Sequence, residues 1–359
     1  MSEGRTPPTI FSAIAAALSQ PALVLGAGTA VVLFLSMSFL PVVGMFFGLF
    51  TPLPLFLFYF RRGRIFGLTM IVLAALAVML ILSLSGRISG IIFFFECCVL
   101  AVILAEGFRR PLPPEKLVGL SAGALLLVGL FFLSLVGLTQ GRPPWTYGKK
   151  IVEEQVHLSL RMYQSIFEEP IESPGETRDV GKDVRRYDPD RSTTGEAEPS
   201  GRETAADDQW VKVLIGIFPG LMVLGSLLIA WANFMSGRAF LAKIGRLPQE
   251  LADLKTWSAP EGLVWAAIAG GFALFIPLNW VQLLAVNVLM VLGLIYFFQG
   301  LSVLAYWLNK KGAPTFFKVF CYALIALQQY LTLVVAAMGL FDIWFNFRKI
   351  DKKGLGRQA

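Results

Sequence analysis

The 359-residue sequence contains one histidine and three cysteines, and this scarcity excludes several kinds of site. His157 is the lone imidazole, and Cys97, Cys98 and Cys321 all lie inside apolar segments. A zinc cluster of ordinary ligand spacing and a disulfide framework are therefore not expected. The cysteines are interpreted as small buried hydrophobic residues. We predict no metal and no cofactor.

Motifs for nucleotide binding and hydrolysis are also missing. No glycine-rich segment ends in Gly-Lys-Ser/Thr, as a P-loop does, and Gly26-Ala-Gly28 lacks the third glycine of a dinucleotide fingerprint. Gly119-Leu-Ser121-Ala-Gly123 matches the nucleophile elbow of hydrolases, but it opens an apolar helix and has no partner histidine nearby in sequence. We therefore predict that the protein is not an enzyme.

Glycines four residues apart have another use, because they let two helices approach closely in a membrane. Six glycines at this spacing are predicted to serve helix packing: Gly44, Gly48, Gly119, Gly123, Gly216 and Gly220.

Charged residues make up only 15% of the chain, against about 25% in soluble domains, while 56% of residues are apolar. The apolar residues form blocks of roughly 20 to 30 residues, long enough to cross a hydrocarbon core about 30 Å thick. Because backbone groups in lipid must bond internally, such blocks are predicted to be helices. The fold class is therefore all-α, a polytopic transmembrane bundle of eight to nine crossings.

The chain divides into four parts. Residues 1–138 form an N-terminal membrane half of about five helices, and residues 210–346 a C-terminal half of three to four. Residues 139–209 form an extramembrane insert, and residues 347–359 a basic tail.

The insert itself has two segments. An apolar period close to 3.6 residues predicts an amphipathic helix at about residues 149–168. The acidic tract of residues 170–208 has too few apolar residues to offset the entropy of ordering, so we predict that it is disordered. From Arg142 to Asp208 there are ten Lys/Arg and fifteen Asp/Glu residues, a net charge of −5.

Basic residues outside the insert lie in short clusters beside apolar blocks, as in cytoplasmic loops, so no nucleic-acid partner is predicted. If all four clusters are cytoplasmic, two crossings separate each consecutive pair, and the acidic insert then faces outward. The clusters are Arg61–Arg64, Arg109–Lys116, Arg238–Arg246 and Lys310–Lys311.

The basic tail breaks this parity, because only Phe316–Phe345 separates it from Lys311. Three explanations remain open. The last block bends back, the tail is external, or one earlier block is not a true crossing.

Polar residues inside apolar blocks are the candidate site residues. Glu96 lies near the middle of its block, where an unpaired charge costs a few kcal/mol or more. It is either a contact for a cation, proton or ligand, or a structural carboxyl hydrogen-bonded between helices. The amides are either cavity-lining or bonded across helices. The candidate ligand or ion contacts are Glu96, Asn233, Asn279, Gln282, Asn287 and Gln299.

Asp342 and Arg348 are six residues apart at the end of the last block. They are predicted to form an ion pair at a helix end or to reach the interface separately.

Several short motifs, in order and spacing, resemble the YybS-like family of bacterial membrane proteins, which carry a domain of unknown function. The resemblance covers most of the chain except the acidic insert. Its motifs are Pro41-x-x-Gly44, Thr51-Pro52-Leu53-Pro54, Phe218-Pro219-Gly220, Trp257-Ser-Ala-Pro260, Gln299-Gly300-Leu301 and the run from Gly339 to Arg348.

This family is distantly similar to the substrate-binding S components of energy-coupling-factor transporters. The resemblance implies a multi-pass protein of the bacterial inner (cell) membrane that binds a small solute or cation in a helical bundle. Its partners would be the lipid bilayer and a separate energising protein. The alternative hypothesis is a non-transporting membrane scaffold or assembly factor, with the acidic insert and basic loops as docking surfaces.

Overall fold

A computed structural model describes residues 19–86, 90–141, 143–167, 201–251, 254 and 257–348. Regular structure in these residues is helical, which confirms the all-α prediction. The helices are α1 (Pro21–Phe39), α2 (Pro41–Gly48), α3 (Pro52–Arg62), α4 (Arg64–Leu84), α5 (Gly90–Arg109), α6 (Pro114–Thr139), α7 (Pro144–Phe167), α8 (Gly201–Lys243), a 3-10 turn (Gln249–Leu251), α9 (Leu263–Ala273), α10 (Asn279–Lys310), α11 (Thr315–Leu327) and α12 (Gln329–Phe345).

Seven segments in the described residues are long and apolar enough to cross a membrane. An eighth is present if α11 and α12, which are bent by 107° at Gln328, count as one span. Eight spans is the lower end of the predicted range of eight to nine crossings, and seven is one fewer than that range. The seven segments are Pro21–Phe39, Val43–Arg62, Arg64–Leu84, Gly90–Arg109, Pro114–Thr139, Val211–Lys243 and Asn279–Lys310.

The block expected at Leu263–Ile276 forms only the 11-residue helix α9. At 1.5 Å per residue, α9 is about 16 Å long, roughly half of the hydrocarbon thickness. Two of the three explanations for the broken parity of the basic tail thus have a matching geometry. The short α9 matches an earlier block that is not a true crossing, and the bend between α11 and α12 matches a last block that bends back.

Prolines begin the short helices of the first third of the chain. Pro41 and Pro52 occupy first helical positions, where the absent N–H group is not needed by the helix. Gly63, with φ of +105°, makes the tight turn from α3 into α4. Glycine adopts this conformation without the steric cost that a Cβ would bring.

The largest apolar core lies among α1, α3, α4, α5 and the second half of α8. The Phe108 ring contacts Phe56 at 5.1 Å and Phe234 at 5.4 Å between centroids, and all three side chains are buried. Phe234 belongs to the predicted C-terminal half, so the two predicted membrane halves share a core. The described parts of Met1–Phe132 and Pro219–Ala359 accordingly form one compact unit.

The described parts of Leu133–Phe218 form a second compact unit. Its helix α7 includes the predicted amphipathic segment, buries Val152 and carries the helix-surface ion pair Lys150–Glu154 at 3.4 Å. Most of the acidic tract, residues 170–200, lies outside the described residues. Its last eight residues, 201–208, are helical where disorder was expected, because they continue into the apolar part of α8.

A close helix crossing joins α10 to α12 at Gly300 and Gly339. A Cβ added to Gly300 would collide with the Val335 carbonyl, and one added to Gly339 would collide with the Tyr296 carbonyl. Sequence reasoning missed this pair, because the two glycines lie on different helices.

The six glycines predicted to pack helices divide into three groups. Gly44 and Gly48 lie against Ser36 and Met37, and Gly220 lies against Asn287, as predicted. At Gly119 and Gly123 the prediction is corrected, because a Cβ at either position would meet nothing within 4 Å. The role of Gly216 stays a prediction.

We expect Gly339→Ala to lower the thermal stability of the purified protein. The added methyl would force apart two backbones, an overpacking that typically costs about 1–3 kcal/mol. The matched control is Gly28→Ala, because a Cβ at Gly28 meets nothing within 4 Å and helix propensity favours alanine. Thermal unfolding in detergent checks both variants, and equal midpoints would show that the crossing is not tight.

Candidate functional site

A cavity of about 1650 Å³ lies among α6, α8, α9, α10, α11 and α12. Ligand sites for drug-sized molecules usually measure about 300–1,000 Å³, so this space can take a sizeable solute. Its walls are mainly aliphatic and aromatic. Trp231 of α8 and Phe298 of α10 both line it, and their rings stack at 4.3 Å with an interplanar angle of 10°.

One wall of the cavity is a loop whose described residues are Leu254 and Trp257–Pro260, which we name the anchored loop. The Ser302 hydroxyl donates to the Leu254 carbonyl at 2.9 Å. The Ala259 N–H donates to Gln299 Oε1 at 3.2 Å. Within the described part of the loop, the Trp257 N–H donates to the Leu254 carbonyl at 3.2 Å, and these side chains supply further partners that its backbone needs.

Besides Ser302 and Gln299, a buried ion pair also holds the anchored loop. Arg348 Nη2 lies 2.6 Å from Asp342 Oδ2, and the two side chains are only 3% and 4% exposed. Arg348 Nη1 donates to the Trp257 carbonyl at 2.8 Å and to the Ser302 hydroxyl at 3.1 Å. Gln299 Nε2 donates to Asp342 Oδ2 at 3.4 Å. The predicted ion pair is therefore present, and it holds the anchored loop.

The turn that ends α12 brings Arg348 back onto Asp342. Asn346 adopts a left-handed conformation with φ of +43°, which asparagine tolerates better than most residues. The Phe347 N–H then donates to Asp342 Oδ1 at 3.0 Å. Asp342 thus accepts hydrogen bonds on both oxygens, which compensates for its burial.

Polar groups on the cavity wall gather around the anchored loop. Trp257 Nε1 donates to Glu115 Oε2 of α6 at 3.1 Å, and Glu115 lines the cavity. Arg238, which also lines the cavity, donates from Nε to the Leu251 carbonyl at 2.7 Å. The rest of the lining is largely apolar, so the cavity suits a ligand with an apolar body and a polar end.

None of the six predicted ligand contacts lines this cavity. Glu96 is half-buried on α5, with Oε1 near Gly129 of α6, and Asn279 is exposed at the start of α10. Gln299 is fully buried and belongs to the network that holds the anchored loop. The six residues therefore do not share this cavity.

The other three amides bond to main-chain groups at a helix break, just after a helix end, or beside a proline within a helix. Asn233 donates to the Leu49 carbonyl at 2.9 Å. Gln282 donates to the Leu274 carbonyl at 3.1 Å, just after α9 ends. Asn287 accepts a hydrogen bond from the Gly220 N–H at 2.5 Å, directly after the proline inside α8.

A second polar cluster, missed in the sequence, joins two of the basic loops. Arg64 binds Glu106 through both carboxylate oxygens, at 2.8 and 2.6 Å, and the Tyr59 hydroxyl donates to Glu106 at 3.1 Å. Arg109 donates to the Tyr59 carbonyl at 3.0 Å. These contacts place the Arg61–Arg64 and Arg109–Lys116 clusters at the same end of the bundle, as the predicted topology requires.

Comparison with known proteins identifies the family. A family model described as "Predicted membrane protein (DUF2232)" matches residues 28–174 and 194–343. The chain belongs to the DUF2232 family. It is 19% identical over 314 residues to "Uncharacterized protein YybS" of Bacillus subtilis (strain 168), covering 86% of this chain and 91% of that protein. No solved structure matches.

These matches confirm the resemblance to YybS and the membrane class of the protein. The gap in the DUF2232 match, residues 175–193, covers the middle of the acidic tract, whereas residues 170–174 and 194–208 of the tract lie inside the match. The match includes Gln299 and Asp342 and ends five residues before Arg348. The likeness to S components stays a hypothesis.

In this DUF2232 protein, Arg348→Met should be strongly destabilising because it leaves the Asp342 carboxylate buried without its partner. Breaking a buried pair from one side typically costs about 3–5 kcal/mol. The double variant Asp342→Leu/Arg348→Met should recover part of this loss, since it leaves no buried charge.

Arg64→Met is the matched control, because Arg64 is 59% exposed and surface pairs contribute at most about 1 kcal/mol. Thermal unfolding of the four proteins in the same detergent measures the effects. If Arg348→Met costs no more stability than Arg64→Met, the buried pair does not anchor the loop.

Proposed function

We propose that the protein is a transport-related membrane subunit that binds a small apolar or amphiphilic solute in the cavity walled by the anchored loop. It acts in the bacterial cell membrane with a separate energising protein, because the sequence holds no nucleotide-binding motif of its own.

The observation that carries this proposal is the cavity itself. Its stacked Trp231 and Phe298 and its aliphatic walls favour an apolar body, while Glu115 and Ser302 offer polar contacts near the anchored loop. Ligand sites commonly combine apolar walls with a few convergent polar groups. The cation alternative has less support at this place, because Glu96 lies elsewhere.

We also propose that the protein binds its solute without catalysing a reaction. Ser121 of the hydrolase-like motif is fully buried inside α6, whereas a nucleophile elbow exposes its serine on a turn between a strand and a helix. The scaffold alternative depends mainly on the acidic tract, and residues 168–200 lie outside the described residues.

The most direct test identifies small molecules that stay bound to the protein through purification in detergent. Native mass spectrometry of the wild-type protein should show a recurrent bound molecule, enriched relative to the lipids of the same membranes. Gly293→Leu should reduce its occupancy strongly, because Gly293 lines the cavity and a Cβ there meets nothing within 4 Å.

Gly28→Leu is the matched control, since it makes the same change at a helix position that is open but does not line the cavity. Both variants should keep the wild-type unfolding temperature, and only Gly28→Leu should keep the ligand. A recurrent protein partner without any small molecule would contradict the proposal and favour the scaffold function.

A further inference from the structure

The span Val43–Arg62 is interrupted in its middle. Helix α2 ends at Gly48 and α3 begins at Pro52, so Leu49, Phe50 and Thr51 form a break between two short helices. Thr51 is ten residues before Arg61, a distance of about 15 Å at helical rise. If Arg61 marks one membrane surface, the break lies near the middle of a 30 Å hydrocarbon core.

Two prolines remove hydrogen-bond donors from this break. In a continuous helix, the N–H groups of residues 52 and 54 would donate to the carbonyls of residues 48 and 50, but proline has no N–H. Thr51 N–H donates instead to the Gly48 carbonyl, and Leu53 N–H to the Phe50 carbonyl, both at 3.0 Å. The N–H groups of Leu49 and Phe50 are bonded as well. The break therefore has carbonyl oxygens with a second lone pair and no spare main-chain donor.

Asn233 of α8 adds a buried oxygen to the break. Its Nδ2 donates to the Leu49 carbonyl at 2.9 Å and to the Ile229 carbonyl at 3.0 Å. A flipped amide would set Oδ1 against these two carbonyl oxygens, so the orientation is determined by the network. Asn233 Oδ1 is consequently a fully buried acceptor, and no donor reaches it within the described residues.

Thr51 adds a second buried oxygen to the break, two residues after Leu49, whose carbonyl accepts from Asn233. Its side chain is fully buried, and Oγ1 has no hydrogen-bond partner among the described residues. Gly237, one turn after Asn233, lies so close to the Phe56 ring that a Cβ would come within 2.6 Å of it. The face of α8 that carries Asn233 therefore packs against α3 directly after Thr51.

We propose that this break binds a small monovalent cation, with Asn233 Oδ1, Thr51 Oγ1 and main-chain carbonyls of residues 48–51 as its ligands. Alkali cations prefer oxygen ligands, and carbonyls at broken membrane helices can supply them. The carbonyl end of α2 carries partial negative charge, and Pro52 and Pro54 weaken the opposing effect of α3 by removing N–H groups. The ligands are neutral, which suits a single positive charge better than a divalent ion.

This site is separate from the proposed solute cavity, which neither Thr51 nor Asn233 lines. A cation bound here would stabilise α2, α3 and α8 against one another. The cation proposal can therefore fail or succeed independently of the solute proposal.

The test measures thermal unfolding of the full-length protein in detergent with NaCl, KCl or choline chloride at equal ionic strength. A cation that binds the folded state raises the unfolding temperature in a concentration-dependent way. We expect this rise with Na⁺ or K⁺ relative to choline, and we expect Thr51→Val to remove most of it. Thr51→Val keeps the β-branched shape and removes only the hydroxyl.

Thr29→Val is the matched control, because the exposed Thr29 hydroxyl only donates to the Leu25 carbonyl within α1. It should keep the full response to the cation. An unfolding temperature of the wild type that is equal in all three salts would overturn the proposal, as would a Thr51→Val variant that keeps the response.

Direct binding supplies a readout that does not depend on the folding of a variant. Saturable binding of ²²Na⁺ or ⁸⁶Rb⁺ to the wild-type protein, competed by the unlabelled ion but not by choline, supports the site. Absence of saturable binding of both ions overturns it and leaves water as the partner of the two buried oxygens.

Discussion

Backbone N–H and carbonyl groups within a bilayer have no water to bond, so every interruption of a helix must be compensated by the protein itself. In this chain the compensation comes from amide side chains on neighbouring helices. Asn233 bonds the Leu49 carbonyl between α2 and α3, Asn287 bonds the Gly220 N–H after the proline in α8, and Gln282 bonds the Leu274 carbonyl after α9. Their shared role is to permit irregular backbone among the membrane helices.

The backbone groups of the anchored loop also need hydrogen-bond partners from the protein, and here they belong to a longer non-helical segment. It is a non-helical segment that walls a cavity among helices, and its backbone is bonded by Gln299, Ser302 and Arg348. The buried charge of Arg348 would be strongly destabilising without a partner, and the carboxylate of Asp342 supplies the opposite charge. The ion pair is therefore best understood as the means by which an irregular wall, and with it the cavity, is held in place.

Close helix packing provides the second requirement for this arrangement. Gly300 and Gly339 let α10 and α12 approach until main-chain atoms nearly touch, which brings Asp342 within reach of Gln299 on the facing helix. A larger residue at either glycine would move the carboxylate away from the groups that surround it. The close packing of α10 against α12 and the hydrogen bonds to the buried Asp342 thus depend on each other.

The sequence by itself determined the membrane class, the all-helical fold and the family. These features depend on local properties, namely the length of apolar blocks, the placement of charge and short motifs. Only the tertiary structure decided the partners of the amides, the Gly300–Gly339 crossing, the short α9 and the cavity. A hydropathy pattern reports whether a segment is apolar, but it contains no information on how each helix is rotated or which helix it faces. The sequence therefore shows that Asn233 is a polar residue in an apolar block, but only the structure shows that its amide bonds the Leu49 carbonyl, 184 positions away, at the break between α2 and α3.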